Sequence, residues 1–185
     1  MGALVALEKN KLRERVLTDV VQLLESKGLF TEVVRTIIEK AQEYLDVTNL
    51  CVIQLSEEHK SLIKLVDYKR EDASEILIDG MAYEKFLLIS DDISVCIHTD
   101  NTLDKNVRNQ MKEYGIKTSI TSPIYVNDEI EMYFAIFDTQ NELTLDNSEL
   151  NFINIITKVI QSIAQRQVTK NSLIASYEVL RDILS

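Results

Sequence analysis

The sequence predicts an α+β fold with a central antiparallel sheet of five or six strands. Both ends of the 185-residue chain show apolar residues at helical spacing, whereas its middle carries short apolar runs of strand length. Polar connections of two and four residues join two pairs of these runs, as in β-hairpins. Helices gathered at the chain ends, around hairpins, are typical of α+β domains rather than of alternating α/β folds.

Two helices and a hairpin open the chain. Apolar residues at helical spacing predict helices over 3–26 and 29–45, and Lys27-Gly28 between them supplies a helix stop. The apolar runs NLCVIQLS (49–56) and SLIKLVDYK (61–69) then predict two strands with EEHK as their turn. A helical pair followed by a hairpin is therefore expected in the first third of the chain.

The middle of the chain is less regular. Residues 70–92 have mixed periodicity and indicate a loop that contains a short strand or a helical turn around 81–87. SVCIHTD (94–100) predicts another strand. A helix over 103–114 follows, with Thr102 as its N-cap and Gly115 at the left-handed position after its last turn.

Two strands, 116–126 and 129–138, flank Asn127-Asp128, a pair that tolerates positive φ and therefore predicts a tight hairpin turn. Pro123, the only proline of the chain, lies inside the first of these strands. Because proline has no N–H for a strand ladder, we expect residue 123 at a sheet edge, a bulge or a bend.

A long helix over 146–185 closes the chain, and Asp146 and Glu149 have the spacing of a capping box. It would be about 60 Å long at 1.5 Å per residue, so its C-terminal half is expected to project from the domain and to need a partner. The pattern that continues to its end indicates a piece of a longer polypeptide. An imperfect heptad seam, with six apolar members, is predicted at positions 156, 160, 163, 167, 170, 174, 177, 181 and 184.

Composition excludes several classes of function. The formal net charge of −10 argues against nucleic acid as a partner, because phosphate binding needs clustered Lys and Arg. No apolar run approaches the length of a membrane span, so direct membrane insertion is not expected. Cys51 and Cys96 stand 45 residues apart in strand-like runs and favour a reducing, cytoplasmic location.

In the order of its elements and in several residues, the chain resembles a GAF domain, a sensory module of signalling proteins. YGIKTSITSPIYVNDEIEMYFAIFD (114–138) resembles the hairpin of the family, and LTLDNSELNFINIITKVIQSIAQ (143–165) resembles its closing helix. The matching positions are Gly115, Ser119, Pro123, Glu149, Leu150 and Ala164. The resemblance covers residues 28–168 and implies that the terminal helices pack on one face of the sheet, with short helices and loops on the other. Residues 1–27 and 169–185 would then be a dimerisation helix and a linker helix to a further domain.

A ligand pocket is implied between the sheet and the 80–114 segment, where aromatic residues concentrate. Apolar walls with a few polar groups are what a small-molecule site requires. No metal site is expected, and the sequence does not identify a cofactor. His59 is expected to be solvated, and Asp100 to cap the 103–114 helix rather than to orient the pocket. The candidate ligand-binding residues are Phe86, Cys96, His98, Tyr114, Tyr125 and Tyr133.

The sequence and the resemblance together predict a non-catalytic sensory domain of a bacterial signalling protein of the histidine kinase or diguanylate cyclase type. It would form a homodimer through its terminal helices. A ligand would favour one arrangement of the 80–114 segment, and the last helix would transmit this change. The alternative is a ligand-free structural spacer. A distant alternative is an enzyme like the free methionine sulfoxide reductases, which share this fold and use several cysteines.

Overall fold

A five-stranded antiparallel sheet forms the centre of the protein, whose computed structural model describes residues 2–58 and 60–184. Its strands are β1 (Asn49–Ser56), β2 (Ser61–Lys69), β3 (Ser94–Ile97), β4 (Thr118–Val126) and β5 (Glu129–Asp138), and the helices are α1 (Gly2–Gln22), α2 (Phe30–Leu45), α3 (Lys105–Tyr114) and α4 (Asn147–Leu184). The strand order is β2-β1-β5-β4-β3. The predicted fold class is confirmed, and the region around 81–87 forms a 3₁₀ turn at Tyr83–Lys85 rather than a strand. His59 lies outside the described residues, so its predicted solvation stays a prediction.

The helices α2 and α4 pack on one face of the sheet, and α1 packs against both of them on the same side, so the terminal helices lie on one face as the resemblance implies. The apolar positions of α2 recur at helical spacing, and Val34, Ile37 and Ile38 are fully buried against the sheet. The same core contains Phe152 of α4, whose ring lies 4.5 Å from the ring of Tyr44 between centroids. We call this side of the sheet the helix face.

The opposite side, here the loop face, is covered by α3 and by residues 70–93, which we call the covering segment. Within that segment Ile76 and Ile78 are buried while Leu77 between them is exposed, and the Ile78 N–H donates to the Ile76 carbonyl oxygen at 3.2 Å across a γ-turn. The backbone N–H of Gly80 then donates to the Leu62 carbonyl oxygen at the edge strand β2. The covering segment therefore follows the sheet without adding a sixth strand to it.

The β4–β5 hairpin turns at Asn127 and Asp128, which have φ values of 52° and 65° as the sequence predicts. Pro123 lies at an open sheet edge, as expected, because β3 begins opposite Thr121 and leaves the rest of β4 without a neighbour on that side. The hairpin also contains a bulge, since Ile124 pairs with Met132 and the next residue pairs with Ile130.

The N-cap predicted for α3 is wrong. Asp104 caps the helix by accepting a 2.8 Å hydrogen bond from the Asn106 backbone N–H, and α3 begins at Lys105. Thr102 instead donates both its N–H and its hydroxyl to the Asp100 carboxylate. Asp100 thus forms a turn that precedes the helix and does not cap it, because its side chain is already engaged two residues further on.

The last helix, α4, leaves the domain halfway along its length. Asp146 accepts the Glu149 backbone N–H at 2.8 Å, as in the predicted capping box, but the Glu149 carboxylate pairs with Lys9 of α1 at 3.1 Å. Ala164 is the last buried residue, and every residue from Arg166 to Leu184 is exposed. At 1.5 Å per residue the 38-residue helix is about 57 Å long, so its second half projects as predicted. None of the described helices has the length and apolar character needed to cross a bilayer.

Candidate functional site

The loop face brings together most of the predicted ligand-binding residues. Phe86, Cys96 and Tyr133 are all less than a tenth exposed and belong to one apolar cluster. Tyr114 lies partly buried against that cluster. Tyr125 contacts the covering segment through its hydroxyl. His98 is not brought together with them.

Phe86 is the centre of the cluster. Its ring meets the ring of Phe137 edge-on, with centroids 6.2 Å apart and planes at 83°, an arrangement that aromatic pairs favour. Only 2% of Phe86 is exposed. The space over Phe137, near the end of the central strand β5, is therefore filled by a side chain of the covering segment.

A pair of tyrosines adds a polar contact to this apolar face. The Tyr83 and Tyr133 hydroxyl oxygens lie 3.3 Å apart. Burial is the main cause that raises the pKa of Tyr133, and the hydrogen bond to Tyr83 adds to it. Tyr133 is consequently a neutral hydrogen-bonding group within the cluster.

Side chains of β4 and α3 hold the second half of the covering segment. Thr121 donates its hydroxyl to the Leu88 carbonyl oxygen at 2.8 Å, and Tyr125 donates its hydroxyl to the Asp91 carbonyl oxygen at 2.8 Å. From α3, the Gln110 side chain accepts the Leu87 N–H at 2.7 Å. The segment is thus fixed by three side chains that bind its backbone, whatever residues it carries at those points.

His98 lies beyond the end of β3, where its Nε2 atom is 2.7 Å from Glu142 Oε1. The imidazole lines an open cleft of about 400 Å³ together with Arg108, Lys112 and Lys117. This cleft is basic, unlike the apolar cluster, so the structure divides the predicted site between two different environments.

The two cysteines are both on the loop face but on distant strands. Cys51 of β1 and Cys96 of β3 are separated by β5 and β4, which places them about 14 Å apart at about 4.8 Å per strand. Disulfides require Cα atoms within about 7 Å. Burial, with the nearby Asp67 charge, raises the pKa of the Cys51 thiol to about 12, so Cys51 is a protonated core residue at neutral pH.

Two groups of polar atoms were not predicted to be sites from the sequence. Glu57, Glu129 and Glu131 place carboxylate oxygens within 4.8 Å of one another at one end of the sheet. Burial, followed by repulsion from the other two carboxylates, raises the pKa of Glu131. Among the described residues, Ser119 Oγ and Asp138 Oδ2 are buried without a hydrogen-bond partner.

Several apolar members of the cluster also escaped prediction, notably Ile76, Ile78, Leu88 and Met111. The sequence ILI at 76–78 is an unbroken apolar run, which indicates burial but does not distinguish Ile76 and Ile78 from the exposed Leu77. Leu88 lies in a similar apolar run, FLLI at 86–89, but its position is fixed by the Thr121 contact 33 residues away, which the sequence does not indicate.

No family model and no curated protein sequence matches the chain. Solved structures do match its fold. The phycocyanobilin-bound GAF domain of a cyanobacterial phytochrome superposes with a TM-score of 0.73 at 13% identity, over 85% of this chain and 96% of that one. The GAF domain of an Acinetobacter phosphoenolpyruvate-protein phosphotransferase gives a TM-score of 0.63 at 9% identity, over 83% and 93%.

A further match is the GAF domain of a protein described as a sensor histidine kinase from Pseudomonas syringae pv. tomato. It superposes with a TM-score of 0.62 at 7% identity, over 92% of this chain and 99% of that one. At such identities the likeness is one of fold. The chain has the GAF fold, as the resemblance in its sequence predicts.

Proposed function

We propose that the chain is a non-catalytic regulatory domain that works as a homodimer and transmits conformational change along α4. The observation that carries the proposal is the exit of this helix from the core. Its last buried residue is Ala164, yet it continues to Leu184 with large apolar side chains in water. A projecting helix of this kind gains stability only when its apolar side is covered.

Four exposed apolar residues of α4 form one continuous line along the helix. Leu173, Tyr177, Leu180 and Leu184 recur at intervals of four and three, and each is more than half exposed. This seam is complete, whereas the seam predicted through position 174 is interrupted by Arg181. A second copy of the same helix is the partner that such a seam fits, since both copies then bury the same residues.

α1 supports the same arrangement. It runs beside α4 in the same direction, because Lys9 pairs with Glu149 near the start of α4 and the Arg166 guanidinium donates to the Leu24 carbonyl oxygen further along. Leu4, Val5 and Leu7 at the start of α1 are exposed. In a dimer with its two-fold axis parallel to α1 and α4, a second copy would cover the exposed apolar residues at the start of α1 and at the end of α4.

The regulatory role is supported by the fold. One structural neighbour is a GAF domain with phycocyanobilin bound, and another comes from a protein described as a sensor histidine kinase. In our proposal a small molecule reaches Phe86, Cys96 and Tyr133 only when the covering segment moves, because these side chains are packed in its closed arrangement. Ligand binding would then select the open arrangement. A cytoplasmic location and an output of the histidine kinase or diguanylate cyclase type belong to the same proposal.

Sedimentation velocity across a range of concentrations tests the dimer. We expect a dimer for the full chain, and at least about tenfold weaker association for Leu180→Glu, because a charge would be buried in the seam. Ala175→Glu is the matched control, since five residues place it about 140° away around the helix. A monomer at every concentration would contradict the proposal.

A ligand-free spacer is the second candidate, and the filled loop face favours it. Native mass spectrometry of the freshly purified chain separates the two functions. A bound small molecule that is lost on unfolding supports the sensory function. The chain mass alone, together with no change in thermal stability across a library of small metabolites, supports the spacer.

A further inference from the structure

Tyr125 makes hydrogen bonds to both layers that cover the sheet. Its hydroxyl donates to the Asp91 carbonyl oxygen of the covering segment at 2.8 Å, and its backbone N–H donates to the Gln161 Oε1 atom of α4 at 3.0 Å. The covering segment lies on the loop face and α4 lies on the helix face. Tyr125 of β4 therefore contacts two elements that lie on opposite faces of the sheet.

The backbone N–H of Tyr125 is available for this contact because of two local features. β3 begins opposite Thr121, so the part of β4 after that residue is an open edge. The bulge that skips Glu131 disturbs the ladder at the same point, since Tyr125 pairs with Ile130. Alternate residues of a strand direct their amides to the same side, which places the imide nitrogen of Pro123 on this edge as well.

The contact to Gln161 is one of three between the hairpin and α4. Thr157 donates to the Ser122 hydroxyl at 2.9 Å, and Gln165 both accepts the Asn127 N–H and donates to its side chain at 2.8 Å. We call Thr157, Gln161 and Gln165, spaced by four residues, the polar stripe of α4. The stripe ends where the helix leaves the core, so it fixes the rotation of α4 about its axis at that exit.

On the other side of the sheet, the covering segment depends on the same strand. Leu88 and Asp91 offer their carbonyl oxygens to Thr121 and Tyr125. The contact at Asp91 is exposed to water. Exposed backbone contacts of this type are the ones that open locally at low cost, so this end of the segment is the end that opens first.

From this geometry we infer that Tyr125 couples the covering segment to α4, so that release of residues 87–93 loosens the exit of the helix at Gln161 and Gln165. The inference rests on the proposed regulatory function and supplies its route through the domain. Coupling between two equilibria is reciprocal, so a change at Gln161 also has to loosen the covering segment.

Hydrogen exchange of the full chain tests the coupling from both sides. Tyr125→Phe removes only the hydroxyl, and a hydrogen bond of ordinary net strength corresponds to about a fivefold change in a local opening equilibrium. We expect about fivefold faster exchange for residues 87–93 and also for 161–169. Gln161→Met keeps helix propensity and removes the acceptor, and we expect it to speed exchange in the same two stretches.

Tyr68→Phe is the matched control, because it removes a tyrosine hydroxyl on β2, at the edge of the sheet remote from β4, and it is expected to change neither stretch. The inference is overturned if each variant speeds exchange only on the side that it touches. The measurement needs no ligand and no dimer. A chain that sediments as a monomer would refute the proposed dimer and leave the exchange result standing, and unchanged exchange in a dimeric chain would refute the coupling alone.

Discussion

At the level of single residues, Cys51 shows most clearly how the loop face alters side-chain chemistry. It is fully buried, and its pKa is raised to about 12, against 9.0 for an unperturbed thiol, by burial and then by the nearby Asp67. The folded thiol therefore stays protonated at a pH where the unfolded thiol ionises. This contribution to stability is complete below about pH 9 and is lost as the pH rises towards 12.

Cys51→Ala should remove that part of the pH dependence. Between pH 8 and about pH 10.5, the free energy of unfolding of the unchanged chain is expected to fall more steeply than that of the variant, by up to about 1.4 kcal/mol per pH unit. Urea unfolding at several pH values measures both slopes. The variant starts from a lower stability because of the cavity, so the slopes are the relevant quantity. Parallel slopes would show that the thiol is not shielded from water.

At the level of elements, the clearest difference between sequence and structure concerns the start of α3. Thr102 and Asp104 are both good N-cap residues by type. Only the contacts decide between them, because the Asp100 carboxylate engages Thr102 in a turn and leaves Asp104 to accept from Asn106. Sequence patterns alone give the helix but not its first residue.

The two candidates for the cap can be compared directly. Asp104→Ala is expected to lower the free energy of unfolding by about 1 kcal/mol, because the helix loses its capping acceptor. Thr102→Ala removes an exposed hydroxyl that bonds to Asp100 and is expected to cost about half as much or less. Chemical unfolding of both variants under one set of conditions provides the comparison. Equal losses would mean that the Asp100 turn contributes as much to the helix as its cap.

Elements with strong local patterns could be predicted, and the covering segment could not. The hairpin turn at Asn127-Asp128 and the left-handed Gly115 follow from the residues themselves. The positions of Leu88 and Asp91 follow from hydrogen bonds through their carbonyl oxygens to residues more than 30 positions away. Backbone acceptors have no sequence signature, so the fold was predictable while the filling of the candidate site was not.

At the level of the whole molecule, the globular part and the projecting part of α4 have different roles. The residues after Val168 are exposed and add nothing to either core cluster. If the seam at Leu173, Tyr177, Leu180 and Leu184 joins two copies, the stability contributed by these residues depends on protein concentration.

A chain that ends at Val168 should unfold at a midpoint temperature that does not change with its concentration. For the full chain we expect the midpoint temperature to rise with concentration, because only the folded state dimerises and not the unfolded state. Differential scanning calorimetry over a hundredfold range of concentration measures both dependences. The same concentration dependence in the shortened chain would assign the dimer to α1 or to the globular part instead.

The open edge of β4 has a consequence for solubility. An unpaired strand edge is a template on which another chain can add a strand and start aggregation. Here the edge carries Pro123, which has no N–H to offer, and the amides of Tyr125 and Asn127 are already bonded to glutamine side chains of α4. The contacts that hold α4 therefore also keep the β4 edge from pairing with other strands. A change that loosened α4 to transmit a signal would also expose this aggregation-prone edge.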